Sequence, residues 1–136
     1  MPSAIILTIA VNTSDAKAAE AYSQRGLDLL AAGSSDEAID AFRLAMAADP
    51  NNIEANHGII RAMRDAGRVE QAIAASLALI ALTPGDPLAH TALSISLQDA
   101  GHIPEAEAAA ARARVLEWKM QLQRPPDEDQ HKDLAR

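Results

Sequence analysis

The sequence predicts an all-α protein in which three helical hairpins stack side by side. Three glycines recur at intervals of 34 residues: Gly33, Gly67 and Gly101. Three alanines keep the same interval: Ala38, Ala72 and Ala106. A fixed period of this length is typical of helical repeat proteins, because each hairpin needs its neighbour to bury its apolar face. The pattern therefore indicates that function resides in a surface and not in a catalytic pocket.

Further residues keep this register, which extends it beyond glycine and alanine. Pro50 and Pro84 differ by 34 positions, and Leu29, Met63 and Leu97 hold one apolar position in all three copies. The sequence resembles the tetratricopeptide repeat family, and the first copy matches that family's small, aromatic and proline positions with these residues: Gly26, Ala38, Phe42, Ala45 and Pro50. The resemblance implies a right-handed α-α superhelix of three helix-turn-helix repeats.

The later copies depart from the pattern of the first. Ile60 stands where the first copy has Gly26, Leu79 replaces Ala45, and Trp118 occupies the proline position of the third copy. We therefore expect a long last helix that does not stop where its counterparts do. The predicted organisation is an apolar extension at 1–14, a repeat domain at 15–124 with copies at 19–52, 53–86 and 87–120, and a charged tail at 125–136.

Caps, glycines and prolines set the predicted helix ends. Ser14 or Asp15 is expected to cap the first helix, Ser35 the second, and each recurrent glycine ends a first helix in a left-handed conformation. Pro87 opens the fifth helix, where its missing N–H costs nothing. The six predicted helices span about 15–32, 36–48, 53–66, 69–82, 87–100 and 104–123.

The apolar run from Ala4 to Val11 allows several interpretations. Its β-branched residues favour an extended segment that pairs with a partner or packs in the chain's own groove, and an additional helical turn is the alternative. No Lys or Arg precedes the run, which disfavours a signal peptide, so we expect a cytoplasmic protein. The run is shorter than the roughly 18 to 20 apolar residues that cross a bilayer, so no integral membrane segment is predicted.

Composition and motifs argue against several classes of function. The formal net charge of -7 opposes binding to nucleic acid, and the absence of Cys removes disulfides and thiolate metal sites. The four histidines lack metal-ligand spacing: His57, His90, His102 and His131. The sequence has no phosphate-binding loop and no nucleophile elbow. We predict no enzyme, no catalytic residue, no metal and no cofactor.

The family resemblance implies that the first helix of each hairpin lines a concave groove. The predicted groove has apolar ends at Leu27, Leu30 and Ile95 and a basic centre at His57, Arg61 and Arg64. Such a groove fits an amphipathic helix or an extended peptide with one acidic group. The alternative is that the two arginines pair with Asp65 or Glu54 on a solvated face. The Lys and Asn residues with which some family members grip a C-terminal carboxylate are missing, so a chaperone tail is not the expected ligand.

The sixth helix offers a second candidate surface. Its predicted inward stripe consists of Ala106, Ala109, Ala113, Leu116 and Met120, and a second apolar stripe consists of Val115, Trp118 and Leu122. We expect partner contact or self-association through the second stripe, because Trp is enriched among binding anchors. The alternative is that Trp118 folds back onto Leu82 or Val115 as core.

These observations together predict a protein-interaction scaffold, adaptor or accessory subunit that binds a partner peptide or helix in the groove. One alternative is a structural subunit that self-associates or docks permanently through the sixth helix and the N-terminal run. Another is a chaperone of the secretion type, since some three-repeat members of the family escort exported proteins.

Overall fold

The computed structural model describes the backbone of residues 2–125 and the side chains of residues 15–125. This part of the chain is entirely helical, without strands, and contains α1 (Pro2–Ala31), α2 (Ser35–Ala48), α3 (Ile53–Asp65), α4 (Val69–Leu82), α5 (Pro87–Asp99) and α6 (Ile103–Gln123). The helices form three consecutive hairpins, which confirms the predicted all-α repeat fold. Of the predicted tail at 125–136, all but Pro125 lies outside the described residues.

The recurrent glycines end the first helix of each hairpin as predicted. Gly33, Gly67 and Gly101 have φ angles of 81°, 78° and 82°, a conformation that a Cβ disfavours. In each case the next backbone N–H reaches back to an apolar residue of the preceding helix, as in the bond of 2.9 Å from Ser34 N to Leu29 O. This is the 6→1 bond of a Schellman motif. Because the motif recurs in all three hairpins, the 34-residue register is structural.

The two turns that join one hairpin to the next are each closed by a polar cap. The side chain of Asn52 accepts a hydrogen bond of 2.9 Å from Ala55 N, and Asp86 accepts one of 3.0 Å from Leu88 N. These caps open α3 and α5. The prediction that Ser35 caps α2 is wrong, since Ser34 holds that position without a side-chain hydrogen bond and Ser35 is already helical.

The start of α1 differs from the predicted cap and from the predicted extended segment, and it agrees with the alternative of additional helix before Asp15. The backbone is helical from Pro2, so the helix does not begin at a cap at Ser14 or Asp15, and residues 4–11 are not extended. Helix propagation explains the difference. No glycine or proline separates the apolar run from the helix that follows it, and a β-branched residue costs a helix only a few tenths of a kcal/mol relative to its neighbours.

Adjacent helices pack against one another throughout the described residues, so the hairpins form a stack. Each helix contacts the next one, and α3 also contacts both α1 and α5, whereas the second helices α2, α4 and α6 do not contact one another. The first helices therefore lie closer together and line the inner side of the stack. The second helices form its outer side.

Phe42 is the centre of the buried core. Its side chain is fully buried between α1 and α3, and both helices present a glycine to its ring. A Cβ at Gly26 would lie 2.6 Å from Cε1 of the ring, and a Cβ at Gly58 would overlap the ring's Cε1 and Cζ. The ring thus sets the spacing between the first two hairpins. Ala38 and Ala72 are fully buried at the predicted close contacts.

The last helix, α6, is longer than α5, the helix against which it packs. α6 contains 21 residues and α5 contains 13, so α6 extends beyond α5 by about 12 Å. The inward stripe is buried from Ala106 to Leu116, but Met120 is 48% exposed. The prediction that Met120 belongs to the inward stripe is wrong, because that turn of α6 lies past the start of α5.

Candidate functional site

A cleft of about 430 Å³ lies on the inner side of the stack, between α1 and α3. Its floor is apolar and its rim is charged. The residues that line it are Leu27, Leu30, Ala31, Glu54, His57, Gly58, Arg61 and Asp65. Leu27 and Leu30 are half-buried and pack against the core, which fixes their positions. Because Gly58 has no side chain, the floor of the cleft approaches the backbone of α3.

Each predicted cation of the groove faces a carboxylate. Arg64 donates a hydrogen bond of 2.7 Å from Nε to Oδ2 of Asp99, which ties α3 to α5. Arg61 Nε lies 3.9 Å from Oδ2 of Asp65, one turn along the same helix. Arg61 thus pairs with Asp65, as the alternative expected, whereas Arg64 pairs with Asp99 of α5 and not with Asp65 or Glu54.

The two arginines differ in how free they are to contact a ligand. The Arg64 side chain is 26% exposed and makes a short bond between repeats, whereas the Arg61 side chain is 73% exposed and its contact with Asp65 is long. A solvent-exposed ion pair of this kind contributes little to stability, so exchanging it for another carboxylate is inexpensive. Arg61 is consequently the cation of the cleft that can turn to an incoming acidic group.

His57 lines the cleft, but its Nε2 atom is not exposed there. Its Nε2 is buried and lies 3.7 Å from Oδ2 of Asp86, which is beyond hydrogen-bonding distance. The other carboxylate oxygen of Asp86 already caps α5. Among the described residues, Nε2 of His57 therefore has no hydrogen-bonding partner, which is an uncommon state for a buried polar atom.

The sequence did not reveal two partners that the structure brings to the groove. Asp99 and Asp86 belong to the third copy and its entry turn, and they pair with α3 residues 35 and 29 positions earlier. Such pairs follow from the stacking of neighbouring copies, so a search for i, i+4 partners within one helix misses them. Ile95, the predicted apolar end of the groove, is half-buried on α5 and lies outside the α1–α3 cleft.

The predicted second surface on α6 is accessible. Trp118 is 61% exposed and Leu122 is 67% exposed, and Val115 is exposed on the same side of the helix. The alternative in which Trp118 folds back as core is therefore wrong. Leu82, one of its two suggested partners, is itself exposed.

No group of three or more His, Asp or Glu side chains between residues 15 and 125 is arranged to hold a metal ion. None of the helices at 2–123 combines the length and the hydropathy that a membrane span requires.

Comparison with known proteins connects this geometry to a family. A family model described as tetratricopeptide repeat matches residues 29–95. No curated protein sequence matches the chain. The chain is similar in structure to the second TPR domain of Spaghetti (RPAP3) bound to an HSP90 peptide, with a TM-score of 0.76, 18% identity and coverage of 83% of this chain and 97% of that domain.

Two other solved structures are similar to the chain. MamA matches with a TM-score of 0.71 and 25% identity over 76% of this chain and 61% of MamA. The type III secretion translocator chaperone SycD of Yersinia enterocolitica matches with a TM-score of 0.70 and 15% identity, over 88% of this chain and 87% of SycD. The family match and the shared stack of helical hairpins agree with the residue register, and the chain belongs to the tetratricopeptide repeat family.

Proposed function

We propose that this chain is a protein-interaction module that binds a peptide or an amphipathic helix of a partner protein in the α1–α3 cleft. The observation that carries the proposal is the cleft itself, a concavity of about 430 Å³ with an apolar floor and a charged rim. Its volume falls within the range of about 300–1,000 Å³ that is usual for ligand sites. The partner would insert apolar side chains against Leu27 and Leu30.

The charges at the rim restrict the ligand. Arg61 is the cation that can bind a carboxylate of the ligand. Glu54 and Asp65 lie on either side of Arg61 along the cleft and repel a strongly acidic segment. We infer a ligand that carries one acidic residue beside two or three apolar ones. The RPAP3 domain is bound to the peptide SRMEEVD, in which three residues are acidic. This chain, with two carboxylates on its cleft, is expected to disfavour such a peptide.

The binding mechanism follows from the rigidity of the groove. The cleft walls are helices held by core packing, and Arg64 bonds α3 to α5. A preformed wall requires little ordering on binding, so more of the interaction energy appears as affinity. Arg64 thus supports the groove, and Arg61 orients the ligand. A role as a scaffold, adaptor or assembly subunit is the proposed biological context.

A display selection of random peptides against the immobilised chain tests this proposal. Selected peptides should contain one Asp or Glu among apolar residues. Their binding should fall by at least about tenfold when Ala31→Trp fills the cleft. Ala47→Trp is the matched control, because Ala47 is equally small and exposed but lies on α2, away from the cleft. Equal binding to both variants would refute the proposed site.

Substitutions of Arg61 provide a second test of this proposal. Arg61→Ala should weaken the selected peptides by about 1–2 kcal/mol, as expected for a charge-assisted bond in a partly solvated site. Arg61→Lys should recover only part of that loss, since Lys lacks the bidentate geometry of Arg. If Arg61→Ala leaves the affinity unchanged, the carboxylate of the ligand does not contact this residue.

A further inference from the structure

The outer side of α6 carries an apolar stripe with a coiled-coil spacing. This outer stripe consists of Ala108, Ala111, Val115, Trp118 and Leu122, all of which are exposed. The intervals alternate between three and four residues, so the five side chains form one straight seam along the helix. The seam lies opposite the face that α6 buries against α5. The side chains are small in the first half of the seam and large in the second.

The large end of the outer stripe stands clear of the repeat domain. After Leu116 every described residue of α6 is exposed, including Trp118, Met120 and Leu122. The last two turns of α6 therefore expose the two largest side chains of the outer stripe, Trp118 and Leu122, on one face. Exposed apolar patches of this kind often mark interaction surfaces.

We propose that a second copy of this chain covers the outer stripe, with the two α6 helices packed antiparallel about a twofold axis. In an antiparallel pair, the small side chains at the start of one stripe face the large side chains at the end of the other. When the axis passes between Leu116 and Glu117, Val115 of one copy faces the second copy's Trp118, and Ala111 faces the second copy's Leu122. In both pairings the smaller side chain lies opposite the larger one. A twofold axis makes each contact twice, as an isologous interface requires.

The area of this interface sets the expected strength. Covering the five side chains of the outer stripe in both copies removes on the order of 800 Å² of apolar surface, since a Trp alone exposes up to about 250 Å². Flanking polar atoms bring the total to about 1,000 Å², which is the low end of specific interfaces. The dimer should therefore be weak and reversible, with a dissociation constant in the micromolar range.

Charges beside the stripe give the pairing a distinctive signature. Arg112 and Lys119 flank the stripe on one side, and none of the ion pairs among the described residues involves either of them. In the antiparallel arrangement Arg112 approaches the second copy's Lys119, and the contact occurs twice. This repulsion predicts that added salt strengthens the dimer, which is the opposite of its effect on an attractive pair. Lys119→Glu should replace both repulsions with attractions and tighten the dimer about fivefold.

Analytical ultracentrifugation of the full chain from about 1 to about 500 µM measures the dimer directly. Trp118 is the chain's one Trp, so its fluorescence emission reports burial at the same residue. We expect the sedimentation coefficient to rise with concentration and the emission to shift to shorter wavelength in parallel. A monomer at every concentration would overturn the proposal, and so would a dimer whose emission does not shift.

Two substitutions separate this interface from other modes of association. Trp118→Glu should weaken the dimer by at least about 30-fold. Leu88→Glu should leave it unchanged, although Leu88 on α5 is exposed to the same extent, 61%. Far-UV circular dichroism checks that both variants remain helical. Equal losses in the two variants would contradict an interface on α6.

Two further variants test the register in which the two α6 helices pair. Ala111→Trp should disrupt the dimer by overfilling the position that receives the second copy's Leu122. Lys119→Glu should tighten it and reverse its dependence on salt, because added salt weakens an attractive pair. A dimer that tolerates Ala111→Trp, or that weakens with Lys119→Glu, would show that the copies pair in another register or that the outer stripe binds a different helix.

Discussion

The contact between Phe42 and Gly58 supports a quantitative prediction for Gly58→Ala. Alanine favours a helix over glycine by about 1 kcal/mol. At this position, however, the added Cβ would overlap Cε1 and Cζ of the Phe42 ring. Overpacking of a core contact costs about 1–3 kcal/mol. We therefore expect Gly58→Ala to destabilise the chain by up to about 2 kcal/mol, against the intrinsic helix preference.

The sign of the effect should reverse when the ring is removed. Leucine at position 42 lacks the two ring atoms that the new Cβ meets, so helix preference should dominate in Phe42→Leu. In that background Gly58→Ala is expected to stabilise the chain by about 1 kcal/mol. The free energy of unfolding of all four chains, measured by urea denaturation with far-UV circular dichroism, gives the coupling energy of the cycle, which should be about 1–3 kcal/mol.

Gly85→Ala is the matched control for this cycle. A Cβ at Gly85 meets no atom within 4 Å. It should therefore change stability by no more than about 0.5 kcal/mol with either residue at position 42. An equal destabilisation by Gly58→Ala in both backgrounds would refute the reasoning, because it would show that the ring does not set the spacing of α1 and α3.

Three further predictions concern the helix ends and the link between repeats. Gly67→Ala should cost about 1–2 kcal/mol in the free energy of unfolding, because the φ of 78° is unfavourable for any residue with a Cβ. Asn52→Ala should cost about 1 kcal/mol by removing the cap of α3, and Asn52→Asp should retain most of it; no loss in the alanine variant would contradict the cap. Arg64→Ala should cost about 1 kcal/mol, and in Asp99→Asn the same substitution should cost less, since the 2.7 Å bond is already weakened. Urea denaturation measures all three, and equal losses from Arg64→Ala in both backgrounds would show that the ion pair contributes nothing.

The helices were predictable because their ends are encoded locally. Glycine, proline and capping residues act within a few positions, and the 34-residue interval repeats the glycine in all three copies and the proline in the first two. The first helix was the exception. Its β-branched run indicates a strand when taken alone, whereas the structure continues α1 through it to Pro2. Local composition did not outweigh the continuity of an uninterrupted helix.

The site was less predictable because its chemistry depends on contacts between copies. The lining residues of the cleft follow from the repeat register, but the pairing of Arg64 with Asp99 requires the distance between α3 and α5. The exposure of Met120 likewise depends on where α5 begins, 33 positions earlier in the chain. Periodicity predicts which face of a helix is apolar, and only the packing shows which part of that face has a neighbour.

The most direct test of the central claim, that the inner face of the stack recognises another polypeptide, is a nuclear magnetic resonance titration of the labelled chain with a selected peptide. The account predicts that the largest backbone amide shift changes occur at the cleft, at Ala31, His57, Gly58 and Arg61, with little change on α2 and α4. Changes concentrated on the outer helices, with the cleft amides unmoved, would contradict it.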